Sequence, residues 1–435
     1  MVKFLTRRIV FLLFTVFFVS VAIFLISEVA PGNIAVNTLG NHITPQQEVS
    51  FNAQNGLDQP LMTRYVRWMF GSDWQARGAI GDPVTRLYNA EDERYSWWAV
   101  ADDGTLYQNV TEDGVTMFQL QRQPDGSTVP VDLGTDFWVT DSNGEQVFWG
   151  VDEQGRAAKW VKDSGNAAEI KTAAGWIVIE GAPTAYIPLQ RGLLRGDAGI
   201  SFKDRRPVSE VIFRRLANTL FLAGIAFVIV MPIALLLGLV AGLNEGRLID
   251  RILSISSLVA TATPEFASGI FLIVIFAQWL DLVPGAVVVS SENAIFENPQ
   301  MLILPILTLT LLELGYILRI TRASMVEVMR TNYIRTAVLK GLPQRRIIFK
   351  HALRNALMAP ITIITLHINW LIGGIVVTEV LFGFPGLGRY ILDAALFKDV
   401  FAIEAAAMIL VVIAVGSQLL ADIAYTYLNP RIRYS

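Results

Sequence analysis

The chain has 435 residues, of which 53% are hydrophobic and only 17% charged, and its mean hydropathy is +0.46. Soluble globular proteins carry about 25% charged residues, so this composition predicts a membrane protein. Cysteine is absent, and the three histidines, His42, His351 and His367, stand at no metal-ligand spacing. The sequence therefore argues against disulfides, thiolate chemistry and a zinc site.

An uncharged apolar run, 9–26, follows a short basic segment near the N-terminus. About 20 apolar residues cross the hydrocarbon layer, and no signal-peptidase pattern follows the run, so we interpret it as a retained transmembrane helix. Five further candidate spans follow, at about 216–243, 252–280, 301–318, 356–382 and 401–428. The sequence thus predicts a mainly helical polytopic membrane protein with six transmembrane helices.

The distribution of Lys and Arg between the spans predicts their orientation. Sixteen basic residues lie on the side of the N-terminus, nine of them between Arg319 and Arg354. The two short segments on the opposite side, about 281–300 and 383–400, hold only Arg389 and Lys398. This bias predicts that both termini are cytoplasmic and that residues from about 31 to 211 are extracytoplasmic.

Residues 72–190 differ from the rest of the chain and have the pattern of an antiparallel β domain. They hold 19 acidic and 8 basic residues, and their glycines recur every 8 to 12 residues between 104 and 175. Several of these glycines stand in Asp-Gly or Asn-Gly corners between short apolar runs, which is typical of a β-meander. The seven tryptophans of the region either fill the core of this domain or form a platform for a carbohydrate or peptide.

The polar segment 321–356, between the fourth and fifth predicted spans, has the pattern of a helix, a turn at 341–343 and a second helix. Apolar residues recur in it at steps of three and four: Met325, Val328, Met329, Tyr333, Ala337 and Val338. An amphipathic helix of this kind must bury its apolar face. The partner could be the membrane helices of the chain, a lipid surface or another cytoplasmic protein.

A set of motifs in this order resembles the permease subunits of the peptide/oligopeptide (dipeptide/oligopeptide/nickel) group of ATP-binding-cassette importers. The motifs are 5–8 (LTRR), 30–32 (APG), 56–61 (GLDQPL), 65–68 (YVRW), 196–201 (GDAGIS), 206–208 (RPV), 321–325 (TRASM), 333–342 (YIRTAVLKGL), 345–346 (RR), 351–356 (HALRNA), 384–389 (FPGLGR) and 429–433 (NPRIR). The resemblance covers about 1–71 and 191–435. It says nothing about 72–190, which ordinary members of the family lack.

The resemblance implies the fold of a type I importer permease in a bacterial inner (plasma) membrane, with four regions. These are 1–71 with the first span, the inserted β domain 72–190, an external lead-in segment 191–211, and a five-helix core 212–435. In the family, the segment corresponding to 321–356 is the coupling loop, which docks on an ATPase subunit. The residues that match its motif are Tyr333, Arg335, Thr336, Ala337, Lys340, Gly341, Leu342 and Arg345. Val338 and Leu339 replace the more frequent Arg-Ala of this motif.

The resemblance also implies partners: a second homologous permease, two ATPase subunits that bind ATP and Mg²⁺, and an extracytoplasmic solute-binding protein. The chain has no Gly-Lys pair and therefore no phosphate-binding loop of the usual kind, so we expect it to bind no nucleotide, to hold no cofactor and not to be an enzyme. No feature indicates nucleic-acid binding. Three alternatives remain: a membrane-anchored receptor whose β domain binds an external ligand, an importer of the same family for oligosaccharides, and a secondary transporter.

Polar residues inside the predicted spans are costly in lipid, so each is a candidate for the translocation path. The candidates are Glu265, Glu313, His367, Asn369 and Glu379. Hydrogen bonding between helices, or contact with the second permease, is an equally weighted alternative. Two further acidic residues, Glu404 and Asp422, lie nearer the ends of spans, where we expect them to be solvated.

Overall fold

The computed structural model describes the backbone of residues 2–89, 94–111, 117–134, 136–162, 167–172, 175–180, 183–288 and 297–428. Side chains are described within these ranges except at 2–5, 94, 111, 167–172, 175–180, 365–373, 421–422 and 424–428. The chain divides into two compact units. The first comprises Met1–Ser20, Ile212–Asp393 and Ala406–Ser435, and the second comprises Val21–Val211 and Ala394–Ala405.

The described residues form helices at both ends of the chain and strands between them. The N-terminal helices are α1 (Val2–Val29), α2 (Ile34–Leu39), α3 (Pro45–Asn55), α4 (Leu61–Phe70) and α5 (Asp73–Ile80). The strands are β1 (Val84–Asn89), β2 (Arg94–Val100), β3 (Leu106–Thr111), β4 (Met117–Arg122), β5 (Thr128–Gly134), β6 (Val139–Thr140), β7 (Gln146–Val151), β8 (Ala157–Val161), β9 (Ala167–Thr172), β10 (Gly175–Glu180) and β11 (Ala185–Ile187).

The later helices are α6 (Val208–Leu243), α7 (Leu248–Ala262), α8 (Glu265–Leu272), α9 (Ile303–Met329), α10 (Asn332–Leu339), α11 (Gln344–Arg346), α12 (Leu353–Ala356), α13 (Met358–Phe382), α14 (Leu387–Phe397) and α15 (Val400–Leu428). Two π-helical stretches, Ile273–Trp279 and Ile347–Ala352, continue α8 and α11. Short 3₁₀ turns occur at Leu193–Arg195 and Pro299–Leu302.

Within the described part of the chain, four helical stretches are long and apolar enough to cross a membrane. They are Thr6–Val29, Val208–Leu243, Pro299–Met329 and Val400–Leu420. Three bent helix pairs pass the same test, which gives up to seven spans if each pair counts as one. The chain is therefore a multi-pass membrane protein, and the predicted number of six stays a prediction.

The third predicted span, 252–280, is not one straight helix. The pair Leu248–Ala262 and Glu265–Trp279 bends by 109°. The break falls at Thr263, whose extended backbone (φ −85°, ψ 127°) is the conformation that a following proline imposes, and Pro264 leads into α8. This bend is far larger than the kink that a proline produces within a continuous helix.

The core of the first unit is a continuous apolar cluster of the membrane helices. Its fully buried side chains include Leu222, Leu304, Ile375 and Phe382. Small residues let these helices approach closely: an added Cβ at Gly315 would lie 2.6 Å from the Ser257 carbonyl oxygen. Close approach through small residues is how helices pack in lipid, where no hydrophobic effect drives association.

The predicted antiparallel β domain is confirmed in the second unit. Strands β1 to β5 form a meander in sequence order, and β11, β8, β7 and β6 form a second sheet. The Asp-Gly corner at 102–104 closes a turn in which the Gly104 N–H donates to the Ala101 carbonyl (2.8 Å). Gly104 has a φ of +85°, which glycine adopts without steric cost. Asp-Gly corners thus end these strands as the pattern predicted.

Three tryptophans of the β domain, Trp97, Trp98 and Trp160, are buried in its core. Trp74 is 59% exposed, so it does not belong to that core. The side chain of Trp176 lies outside the described residues. Core packing is therefore the observed role of these three rings, as the burial preference of large aromatic side chains predicts.

Candidate functional site

The segment 321–356, which we predict to be the coupling loop, packs on the membrane helices of its own chain. Helix α10 buries Ile334 and Ala337 in a cluster with Met325 of α9 and Ile347 of the π-helical stretch. The loop then turns at Gly341, whose φ of +69° is the left-handed conformation that ends a helix. The Leu342 N–H donates to the Ala337 carbonyl (3.3 Å) and the Gly341 N–H to the Val338 carbonyl (2.9 Å). The predicted helix, turn and helix are thus confirmed.

The predicted apolar face of this segment is partly wrong. Ile334, which we had not assigned to it, takes the buried position at 2% exposure, whereas Tyr333 and Val338 are 42% and 57% exposed. Leu339 is 80% exposed. The helix therefore has a second apolar surface, Tyr333, Val338 and Leu339, which the described part of the chain leaves uncovered. Because α10 is only eight residues long, periodicity alone could not tell which apolar side chains face inward.

Most of the other residues matched to the coupling motif lie on the outside of the loop. Arg335, Thr336, Lys340, Gly341 and Arg345 are exposed, Leu342 is half-buried and Ala337 is buried. Two polar contacts fix the loop internally. The Asn355 side-chain amide donates to the Tyr333 hydroxyl (2.8 Å), and the Ser324 hydroxyl donates to the Ala356 carbonyl (2.7 Å).

An ion pair between the buried Asp250 and the half-buried Arg322 supports the loop from the preceding helices. Asp250 of α7 is 2% exposed. Its carboxylate accepts hydrogen bonds from the Arg322 Nη2 group (2.8 Å) and from the Gly246 N–H (2.8 Å). Arg322 also contacts the same carboxylate through Nε. A two-point contact of this kind fixes direction as well as distance. It joins α7 to the part of α9 that leads into the coupling loop.

Two carboxylates of the candidate path lie near each other in the first unit. Glu265 at the start of α8 accepts the Thr378 hydroxyl (2.5 Å) and interacts electrostatically with Glu313 of α9. Glu313 is 2% exposed and Glu265 is half-buried. The bend at Pro264 places Glu265 at a helix N-terminus, where a carboxylate is favoured by the helix dipole.

Glu379 has a different environment from Glu265. It is fully buried, and its carboxylate accepts the Thr219 hydroxyl (2.5 Å) and the Gly388 and Arg389 N–H groups (2.7 and 3.2 Å). An added Cβ at Gly386 would collide with the same carboxylate. Glu379 therefore organises the turn 383–389, and these contacts favour the alternative of polar bonding within the helix assembly over an exposed place in a path.

The prediction that Glu404 is solvated is wrong. Glu404 is 1% exposed in the second unit and accepts the Ser27 hydroxyl of α1 (2.7 Å). Sequence position near the start of an apolar helix suggested contact with water, but α1 covers this end of α15. The side chains of His367, Asn369 and Asp422 lie outside the described residues. No group of three or more His, Cys, Asp or Glu side chains placed to hold a metal ion occurs in the described part of the chain.

Family models match both ends of this chain. The model of the inner membrane component of binding-protein-dependent transport systems matches residues 234–434, and the model of the N-terminal part of such membrane components matches residues 1–83. The oligopeptide transport system permease protein AppB of Bacillus subtilis (strain 168) is 36% identical over 252 residues, 57% of this chain and 80% of that protein. The dipeptide transport system permease protein DppB of Escherichia coli (strain K12) is 32% identical over 272 residues, 57% of this chain and 80% of that protein.

A solved structure is also similar: an amino acid ABC transporter crystallised with histidines has 16% identity and a TM-score of 0.38, with 50% of this chain and 94% of that chain covered. The class of this protein is that of membrane permeases. This follows from the matched family model, from the apolar helices and from the relatives. The chain belongs to the family of inner membrane components of binding-protein-dependent transport systems. It is a transporter permease.

Proposed function

We propose that this chain forms, with a second homologous permease, the translocation path of an ATP-driven importer for peptides or similar small solutes. The observation that carries the proposal is the coupling loop: a short helix, buried on one side against α9 and apolar on the other. Its outer apolar surface of Tyr333, Val338 and Leu339 suits a hydrophobic groove of an ATPase subunit. A rigid helix transmits displacement to the spans, which is what switching between outward- and inward-facing states requires.

The energy source lies on other chains in this proposal. Two ATPase subunits would bind ATP and Mg²⁺, and a solute-binding protein would deliver the solute from outside. This orientation follows from the basic residues of the coupling loop, whose side we assign to the cytoplasm together with both termini. The names of the relatives support peptides as the transported solute. Glu265 and Glu313 are the described residues that we propose for the path, because a pair of carboxylates suits a cationic or hydrogen-bonding group.

Purification of the chain from native membranes tests the proposal against the receptor alternative. We expect ATPase subunits and a second permease to co-purify with it, and ATP-dependent peptide uptake by the complex in proteoliposomes. Consistent absence of ATPase subunits under conditions that retain the chain in folded form would contradict the importer and favour a receptor. Uptake of oligosaccharides with no uptake of peptides would keep the importer and change its substrate.

The inserted β domain we assign, as part of the same proposal, to docking of the solute-binding protein. Its two ends meet, since the Ser72 and Asp73 N–H groups donate to the Gln190 carbonyl (2.8 and 3.2 Å). A domain attached in this way can be added to an external segment without changing it. Its 19 acidic residues outnumber its 8 basic residues, and this negative charge would attract a basic partner surface.

Removal of residues 75–188, with two glycines joining the ends, is expected to weaken binding of the solute-binding protein about tenfold at low salt. We expect the difference from the intact chain to shrink as salt rises, because the attraction is electrostatic. The affinity for the solute-binding protein is measured at several salt concentrations, once with the intact chain and once with the shortened chain, each in lipid nanodiscs. Equal affinities at all of them would contradict this role of the domain, while co-purification of ATPase subunits serves as the control for folding.

A further inference from the structure

The second unit contains a cavity of about 490 Å³ that the transport proposal does not use. Its walls come from α2 and α3, from β1 and β2 of the inserted domain, and from the lead-in segment near 199–205. Pockets that bind small molecules usually have volumes of about 300–1,000 Å³. The size therefore suits one small organic molecule.

The charge of the cavity is opposite to that of the domain that helps to form it. Its described lining includes the three arginines Arg86, Arg156 and Arg205 and no acidic residue, although residues 72–190 hold 19 acidic against 8 basic residues. A cleft that has low-dielectric walls and is lined by charges of one sign concentrates ions of the opposite charge. An anion is therefore the ligand that this lining favours.

Two of the arginines are held in place by the protein itself. The Arg86 Nη1 donates to both Asp197 oxygens (3.1 Å each), and its guanidinium lies over the Trp97 ring at 5.7 Å. Arg156 donates through Nε to Asp152 Oδ2 (2.7 Å). These two cations are preorganised but largely neutralised by their carboxylate partners.

Arg205 differs from them because its guanidinium has no partner among the described residues. It is exposed at the cavity wall, on a turn where the Arg205 N–H donates to the Ser201 carbonyl (3.0 Å). That turn is anchored, since the hydroxyl of Ser201, itself 1% exposed, donates to the buried Asp399 carboxylate (2.5 Å). A fixed turn with an unneutralised cation makes Arg205 the group that can bind a ligand anion.

An aromatic wall adjoins these arginines. Phe202 stacks on Phe401 with ring centroids 5.3 Å apart and contacts Phe51 at 5.8 Å. All three residues line the cavity. Tyr95 also lines it, and its hydrogen bond to Glu210 raises the pKa of the Tyr95 phenol, so the ring stays neutral. Aromatic faces of this kind bind flat or branched apolar groups.

We propose that this cavity binds a small organic carboxylate with an aromatic or branched apolar body. In this arrangement Arg205 binds the carboxylate through a charge-assisted hydrogen bond, and the wall of Phe51, Phe202 and Phe401 contacts the apolar body. Arg86 and Arg156 contribute positive potential without changing partners. The site is formed within the second unit, from its external segments and from Phe401 at the start of α15, and its ligand does not depend on the transport proposal.

Calorimetric titration of the full-length protein in lipid nanodiscs tests this site. The probes are N-acetylphenylalanine, N-acetylleucine and 3-phenylpropionate, each compared with N-acetylphenylalanine amide, which has the same body without the charge. We expect saturable binding of at least one acid and about 10- to 100-fold weaker binding of the amide, since hydrogen bonds to charged groups are the strong ones.

Arg205→Gln is expected to lower the affinity for the acid by a similar factor, and Arg205→Lys by less, because lysine keeps the charge without the planar fork. Arg206→Gln is the matched control, since Arg206 is also exposed but does not line the cavity. The proposal is overturned if none of the three acids binds, if the amide binds as tightly as its acid, or if Arg206→Gln has the same effect as Arg205→Gln.

Discussion

Leu339→Asp is expected to abolish assembly with the ATPase subunits and, with it, ATP-driven uptake. Leu339 is 80% exposed at the end of α10, so the substitution breaks no internal contact of the coupling loop. In the proposed complex the leucine side chain is buried, which stabilises the interface by about 1.5–3 kcal/mol. Burial of an unpaired carboxylate in the same groove costs several kcal/mol more. Co-purification of ATPase subunits should therefore fall by at least about 100-fold.

Leu194→Asp is the matched control for this experiment. Leu194 is 63% exposed in a 3₁₀ turn of the external lead-in segment, and the change in polarity is the same. It should leave the amount of co-purified ATPase unchanged. Gly341→Asp, at the left-handed turn that follows α10, should behave like Leu339→Asp. If Leu339→Asp assembles and transports as the unchanged protein does, the proposed docking surface is wrong.

Glu379→Ala is expected to cause the largest loss of stability. The carboxylate accepts the Thr219 hydroxyl and the N–H groups of Gly388 and Arg389 where water has no access. Each buried donor left without an acceptor costs about 1–3 kcal/mol, so the three together cost about 3–9 kcal/mol. Stabilities of folded proteins are about 5–15 kcal/mol, so the yield of folded protein should fall sharply.

Two variants separate this effect from a loss of charge. Glu379→Gln keeps one acceptor oxygen and should lose about 1–3 kcal/mol. Glu245→Ala removes another carboxylate, but Glu245 is 42% exposed on its side chain and forms a surface ion pair with Arg330, which is worth less than about 1 kcal/mol. Thermal unfolding of the three variants in one detergent measures the order of their losses of stability. A wild-type melting temperature for Glu379→Ala would contradict the assigned role of this carboxylate.

In the coupling loop, the sequence predicted the turn but not which side chains face inward. Gly341 and Pro343 marked the turn because a left-handed residue and a proline cannot continue a helix, and these are local properties of single residues. The motif 333–342 marked the family. Which of Tyr333, Ile334 and Val338 faces inward was decided by α9 and the π-helical stretch, which close over Ile334. Neighbouring elements are not encoded in an eight-residue pattern.

The acidic residues of the spans also separate what the sequence identifies from what the tertiary structure decides. Their presence in apolar helices identified Glu265, Glu313, Glu379 and Glu404 as unusual, because a carboxylate in lipid is costly. Their roles diverge only through contacts made at a distance along the chain. Glu404 meets Ser27, which is 377 residues away, and Glu379 meets Thr219, which is 160 residues away. Pairings of this length leave no periodic signal.

The sequence by itself determined the membrane class, the family, the place of the β domain and the turn of the coupling loop. The family follows from the resemblance of its motifs, and the other three follow from composition, runs of apolar residues and turn residues, which act over a few positions. The tertiary structure alone decided the 109° break at Pro264, the burial of Glu404 and the cavity that unites Arg86, Arg156 and Arg205. The physical reason is that burial and charge pairing depend on which distant segments fill the space around a side chain.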